Sequence, residues 1–213
     1  MPHTAENARL LHFAALAGIV GPFLFGTMLV ILTVLEYDFM RSLRWDPLLA
    51  ATTDWPSGLS LGPYGGWMVA TFILGGLLLV LFALGLRQLF PASLGPAFLF
   101  MAGIGLMTLS SLTDPTYTNA PPTPHGEIHD AAYLLLGLGL LPGLFVMARE
   151  FYRQPEWRIH APLTWLVLAL AFPTFIIKEF DKQWSVFHYL LIILFFTIKE
   201  AENVRIKSFS TFR

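Results

Sequence analysis

The chain contains no cysteine. A disulfide framework, a thiolate zinc site and a cysteine nucleophile are thereby excluded, and cysteine usage carries no reading of the redox compartment. Charge is scarce as well: Asp, Glu, Lys and Arg make up 13% of the residues, against roughly 25% in ordinary soluble domains. Neither sign dominates, since the formal net charge is -1. Without a basic footprint, nucleic-acid binding is set aside. What fills the chain instead is apolar: 55% of its 213 residues are hydrophobic, with 19 Phe and 6 Trp, and the mean hydropathy is +0.64. That is the composition of a membrane protein with lipid-facing helices and interfacial aromatic belts, and its first partner is the lipid bilayer.

A bilayer core takes about 20 mostly apolar residues per helix. Six stretches approach that length: 10–35, 66–86, 96–113, 130–148, 161–177 and 184–198. The expected fold is therefore all-α, a polytopic membrane bundle of about six transmembrane helices forming a single integral domain over 1–213. The third and fifth stretches are short, which leaves room for a tilted or re-entrant segment. Pro22, Pro142 and Pro173 fall inside spans, where kinks are expected. Gly139 and Gly143 form a G-x-x-x-G pair, and Gly75 with Gly76 is a second bare patch where helix backbones can approach closely. Only Arg9 precedes the first apolar stretch, and no small-residue cleavage site follows it, so the stretch reads as a retained anchor.

Lys and Arg set the orientation, because cytoplasmic loops retain them. With the N-terminus inside, the inner segments hold Arg9, Arg87, Arg149, Arg153, Arg158, Lys199, Arg205, Lys207 and Arg213, and the outer ones Arg41, Arg44, Lys178 and Lys182. The imbalance predicts a multi-pass protein of the cell membrane with both termini cytoplasmic. The first outer loop, about residues 36–65, is long for a connection inside a compact domain. It carries Trp45, Leu48, Leu49, Trp55, Leu59, Leu61 and Tyr64, too much apolar surface for a solvated linker. It is expected to lie along the interface or to fold over the bundle as a cap, with Pro47, Pro56 and Pro63 breaking any long helix.

The ionisable residues collect at the outer ends of the predicted helices. The stretch "PPTPHGEIHDAAY" places His125, Glu127, His129 and Asp130 at the mouth of the fourth helix, Asp114 ends the third, Glu36 and Asp38 end the first, and His188 lies about a turn inside the sixth. If the helix already includes residues 125–130, His125 and His129 share a face at i, i+4. With Asp114, and with His188 as a fourth member, they would make a nitrogen and oxygen ligand set for a divalent metal such as zinc, with a position open for water. Glu127 or Asp130 would then act as general base and Ser111 would position the substrate. The competing reading is plainer. "HGEIH" is not H-E-x-x-H, acidic residues and histidines are at home in a wet loop, and His129 or Asp130 would cap the fourth helix. Paired axial histidines for two haems, His12 with His160 and His129 with His188, are disfavoured because His12 and His160 sit at the interface and not inside it.

A first helix with "GIVGPFLFG", a long outer loop leading into "GGWMVATFILGGLLLVLF", and a third helix ending in Asp before a Thr/Pro-rich loop with "HGEIHDAAY" together resemble the membrane proteins of domain of unknown function family 998. The resemblance spans about residues 10–200. The family's recurring pattern falls here on Asp114, Thr123, His125, Gly126 and His129. It implies a six-helix membrane fold and treats the polar cluster as a site, without supplying a reaction. Two functions follow. One is a non-enzymatic accessory, binding or transport-like module with a polar site at the outer membrane-water interface, in contact with other membrane proteins. The other is a membrane-embedded metal-dependent hydrolase acting on a lipid headgroup or ester. Charges are scarce at mid-bilayer depth, where coupling sites of pumps are usually found. Convergence of Asp114, His125, His129 and His188 on one point would favour the hydrolase.

Overall fold

The computed structural model describes residues 5–43, 56–110 and 123–176. These residues form helices and no strand, as the apolar pattern predicts: α1 (Ala5–Leu35), α2 (Tyr37–Ser42), α3 (Gly65–Leu89), α4 (Gly95–Leu109), α5 (Pro124–Arg153) and α6 (Ala161–Ile176), with 3-10 turns at Pro56–Leu61 and Pro155–His160. Three helical segments are long and apolar enough to cross a membrane, Asn7–Leu35, Gly65–Leu89 and Pro124–Arg153, and α4 is a shorter apolar helix. At 1.5 Å per residue the 31-residue α1 and 30-residue α5 extend about 45 Å, more than the roughly 30 Å hydrocarbon core. Expected spans 96–113 and 161–177 correspond to α4 and α6, while 184–198 lies outside the described residues.

These helices are apolar on more than one face. On α1, Leu29 and Leu32 are buried while Val30, Ile31 and Val34 are exposed. Exposed Leu134 and Leu138 repeat the pattern on α5. A helix that is hydrophobic all round belongs in lipid or in a large core, and this chain is too small for the latter. The protein is an integral membrane protein.

Each long helix packs on the next one in sequence, α1 on α3, α3 on α4, α4 on α5 and α5 on α6. The neighbours run antiparallel. Ala14 lies against Gly85, Gly21 against Leu78 and Glu36 against Tyr64, so positions on α3 fall as those on α1 rise. The α4–α5 seam is the tightest. A Cβ added at Gly139 would sit 2.5 Å from the Ala102 nitrogen, and one at Gly105 would sit 2.6 Å from the Leu136 nitrogen. Backbone meets backbone there, which is the close approach small residues permit in membrane helices. Gly143 packs on Leu99 of the same seam, and Gly76 faces the Gly103 carbonyl across α3–α4. The expected G-x-x-x-G pair is therefore a packing device, joined by Gly103 and Gly105 of α4.

α5 starts at Pro124, six residues before the 130 expected from hydropathy. Local chemistry explains the early start. Thr123 is the N-cap: its side-chain oxygen accepts the Gly126 N–H at 3.2 Å, and its carbonyl accepts the Glu127 N–H at 3.0 Å. Pro124 at the first helical position loses no hydrogen bond, and Glu127 in the first turn suits the positive end of the helix dipole. Capping by His129 or Asp130 is thus corrected: both lie inside the helix, past its first turn. Gly126 sits within the first turn and donates to the cap.

Candidate functional site

The end of the bundle where α1 gives way to α2 and α5 begins buries Glu36, Ser57, Ser110 and His129, while Ser93 and His160 are buried at the opposite end. α1 gives way to α2 at Glu36, whose own N–H still donates to the Leu32 carbonyl and whose carbonyl accepts the Met40 N–H, both at 2.8 Å. The chain thus carries a carboxylate past the last turn of an apolar helix. It does not reach water. Glu36 is 1% exposed, because the Pro56–Leu61 turn and the residues after it fold over it and pack on α1 and α3. Leu59 of the turn and Met40 of α2 are buried in one cluster with Leu29, Leu32, Met68, Phe72, Leu109 and Ala132. That apolar contact holds the cover in place, and in residues 56–64 it realises the cap expected of the first long loop. Trp45, Leu48, Leu49 and Trp55 of that loop lie outside the described residues.

The carboxylate is unevenly satisfied. The Tyr64 backbone N–H donates to Glu36 Oε1 at 2.6 Å, a short bond. Oε2 is buried and has no hydrogen-bond partner among the described residues. It lies against Gly62: a Cβ built there would fall inside the carboxylate group. Position 62 therefore has to be glycine for the carboxylate to occupy this place. A buried carboxyl group left half matched costs free energy, and native structures leave few such groups without a reason.

His129 reaches the same end from α5. It is 7% exposed, and its Nδ1 lies 3.2 Å from the Leu109 carbonyl at the end of α4. A carbonyl only accepts, so in this contact Nδ1 carries the proton. The bond ties α5 to the last turn of α4, where helix carbonyls lack partners of their own. His125, Glu127 and Asp130 are exposed on the first turns of α5. Ser111, Asp114 and His188, the remaining members of the expected metal and catalytic set, lie outside the described residues. Among the described residues no three His, Asp or Glu side chains are grouped to hold a metal ion.

A family model described as a protein of unknown function (DUF998) matches residues 19–198. The chain belongs to the DUF998 family. Neither a curated protein nor a solved structure matches it. The match starts within α1 and takes in every later described helix of the DUF998 protein, so Glu36, the Pro56–Leu61 cap and His129 all lie inside the shared region. The resemblance read from the "GIVGPFLFG" and "HGEIHDAAY" segments was correct.

Sequence reasoning did not single out Glu36 as a site in the DUF998 protein; it read as one of several acids at a helix end. The signal available was its abrupt place after a run from Leu10 to Leu35 that holds no Asp, Glu, Lys or Arg. Its burial depends on a hydrogen bond to a residue 28 positions away, which no local pattern encodes. His160 was the other polar surprise: it is buried at the opposite end against Phe151 and Trp157, whereas His12 is exposed on α1.

Proposed function

We propose that this DUF998 protein is a non-enzymatic membrane module, a binding or accessory subunit, whose polar site lies at the Glu36 end. In this reading that end faces outward and both termini are cytoplasmic, as the distribution of Lys and Arg favours. Other membrane proteins are its partners alongside lipid. The observation that carries the proposal is the covered Glu36 carboxylate with one oxygen unmatched. Such an arrangement keeps an unfilled acceptor under a backbone cover, which suits binding better than turnover. A hydrolase needs a nucleophile or metal-bound water beside an open substrate path.

The test is metal content by mass spectrometry on detergent-purified protein, beside a His125→Ala/His129→Ala variant, with hydrolysis of short-chain lipid esters assayed on the same samples. The expected result is substoichiometric metal in both and no hydrolysis. Near-stoichiometric zinc that the variant loses would overturn the reading. It would assign the protein to metal-dependent hydrolysis, with Asp114, His125, His129 and His188 as ligands, Glu127 or Asp130 as base and Ser111 positioning the substrate.

A further inference from the structure

We propose that Glu36 is the anionic ligand of a site for a singly charged cation, closed over by residues 56–64. The inference rests on the binding reading above and names the chemistry of the ligand. A carboxyl group that is 1% exposed, with one oxygen held by the Tyr64 N–H and the other unmatched, keeps acceptor capacity that the described residues do not fill. Among the described residues, the elements packed around it offer no cation beyond exposed Arg41. The cap Pro56–Tyr64 contains no ionisable side chain other than the Tyr64 phenol, which is exposed. α3 has Arg87 alone, at its far end, and the charged residues of α1 are Glu6, Arg9 and His12, also at the far end. On α2, Asp38 and Arg41 are exposed. Across the apolar cluster, His129 directs Nδ1 to the Leu109 carbonyl.

The cap allows close approach. It reads Pro-Ser-Gly-Leu-Ser-Leu-Gly-Pro-Tyr, and the glycine at 62 gives its side-chain space to the carboxylate. A hard monovalent cation takes oxygen ligands, and an ammonium group takes the same ones through N–H donors. Two sources present that chemistry at a membrane surface, an alkali ion from water and the ammonium of a phosphatidylethanolamine headgroup. A quaternary ammonium has no N–H to donate and serves as the control. Entry requires the cap to lift, so binding should hold the cap down and raise the stability of the folded state by mass action.

The experiment is thermal unfolding of the full chain in detergent at constant ionic strength. Choline chloride is replaced stepwise by sodium or potassium chloride in one arm; in the other, phosphatidylcholine is replaced by phosphatidylethanolamine in mixed micelles. The expected result is a saturable rise in melting temperature in one arm, lost in Glu36→Gln and retained in Asp38→Asn. A rise in the salt arm assigns an alkali ion and a rise in the lipid arm assigns the headgroup. No rise in either arm for the wild type overturns the proposal, as does an equal rise in Glu36→Gln. If Glu36→Gln fails to fold, Gly62→Ala displaces the carboxylate while keeping its charge, and it must raise the half-saturating concentration at least tenfold; an unchanged midpoint overturns the proposal. Failure here with no metal and no hydrolysis leaves a binding module for some other ligand, whereas zinc with hydrolysis removes the binding reading itself.

Discussion

At the Arg149 end, α3 passes to α4 through residues 90–94 and α5 to α6 through 154–160; at the other end, the path from α1 to α3 runs through 36–64. The short connectors are clamped by rings. Phe90, Phe151 and Trp157 meet with centroids 5.3–5.5 Å apart, and Trp157 stacks on Phe151 at 15°. Arg87 donates to the Ser93 carbonyl at 2.8 Å, and Ser93 Oγ accepts the Gly95 N–H at 3.2 Å, which closes the α3–α4 turn. Arg149 and Arg158 lie over the rings of Phe145 and Tyr152. The Glu36 end is held by apolar packing too, but it encloses a half-matched carboxylate and a histidine that spans two helices. Both ends bury polar groups, Ser93 and His160 within the ring packing of one and Glu36 and His129 under the cover of the other. The difference teaches where to look for a ligand: where a buried carboxylate keeps an acceptor unfilled among the described residues, not where ionisable residues are most crowded.

The sharpest way to break this comparison is Phe151→Ala. Phe151 is 1% exposed and touches Phe90, Trp157 and His160, and truncating a buried Phe costs about 3–5 kcal/mol. Thermal unfolding should show the largest loss of this set, independent of ions or lipid headgroup. A loss no greater than that of a capping variant would mean that the rings do not clamp this end. His129→Ala comes next, at about 1–3 kcal/mol, for leaving the Leu109 carbonyl without its donor. Amide hydrogen exchange should rise around the end of α4 while membrane insertion is unchanged. Thr123→Ala removes the α5 cap and should cost about 1 kcal/mol, with the increase in exchange confined to Gly126 and its neighbours. Arg153→Ala should be the weakest, below about 0.5 kcal/mol, because its 3.4 Å contact with Glu150 is mostly solvated, the arginine side chain being 60% exposed. A larger effect at Arg153 would show that charge, and not ring packing, secures that end.

Hydropathy located the long helices well, because an apolar run is a local property and lipid leaves no other use for it. α3 (Gly65–Leu89) lies close to the expected 66–86, α1 begins at Ala5 where 10 was expected, and the Gly139/Gly143 seam was legible because a pair of glycines four apart on such a helix serves few other ends. The start of α5 was misplaced because hydropathy does not register Thr123 and Pro124, although the capping pattern was present in the residues. The crowded "HGEIHD" drew attention because its members are adjacent in sequence. On α5 they separate into exposed His125, Glu127 and Asp130 and buried His129, since neighbours in a helix point in different directions. Glu36 read only as an acid at a helix end for the opposite reason: what buries it, Gly62 and Tyr64, becomes its neighbour only when α1 and α3 are laid side by side.

The bare seam between α4 and α5 has a consequence at the level of the gene. Every single-nucleotide missense change in a glycine codon introduces a residue bearing at least a Cβ. At Gly105 and Gly139 that carbon would lie 2.6 Å and 2.5 Å from a main-chain nitrogen, and a main chain cannot rotate aside as a side chain can. No amino-acid replacement one mutational step away is silent there. A lineage can recolour the lipid-facing sides of these helices freely, but it has to cross the seam at Gly105 and Gly139 by paired changes or leave it as it is.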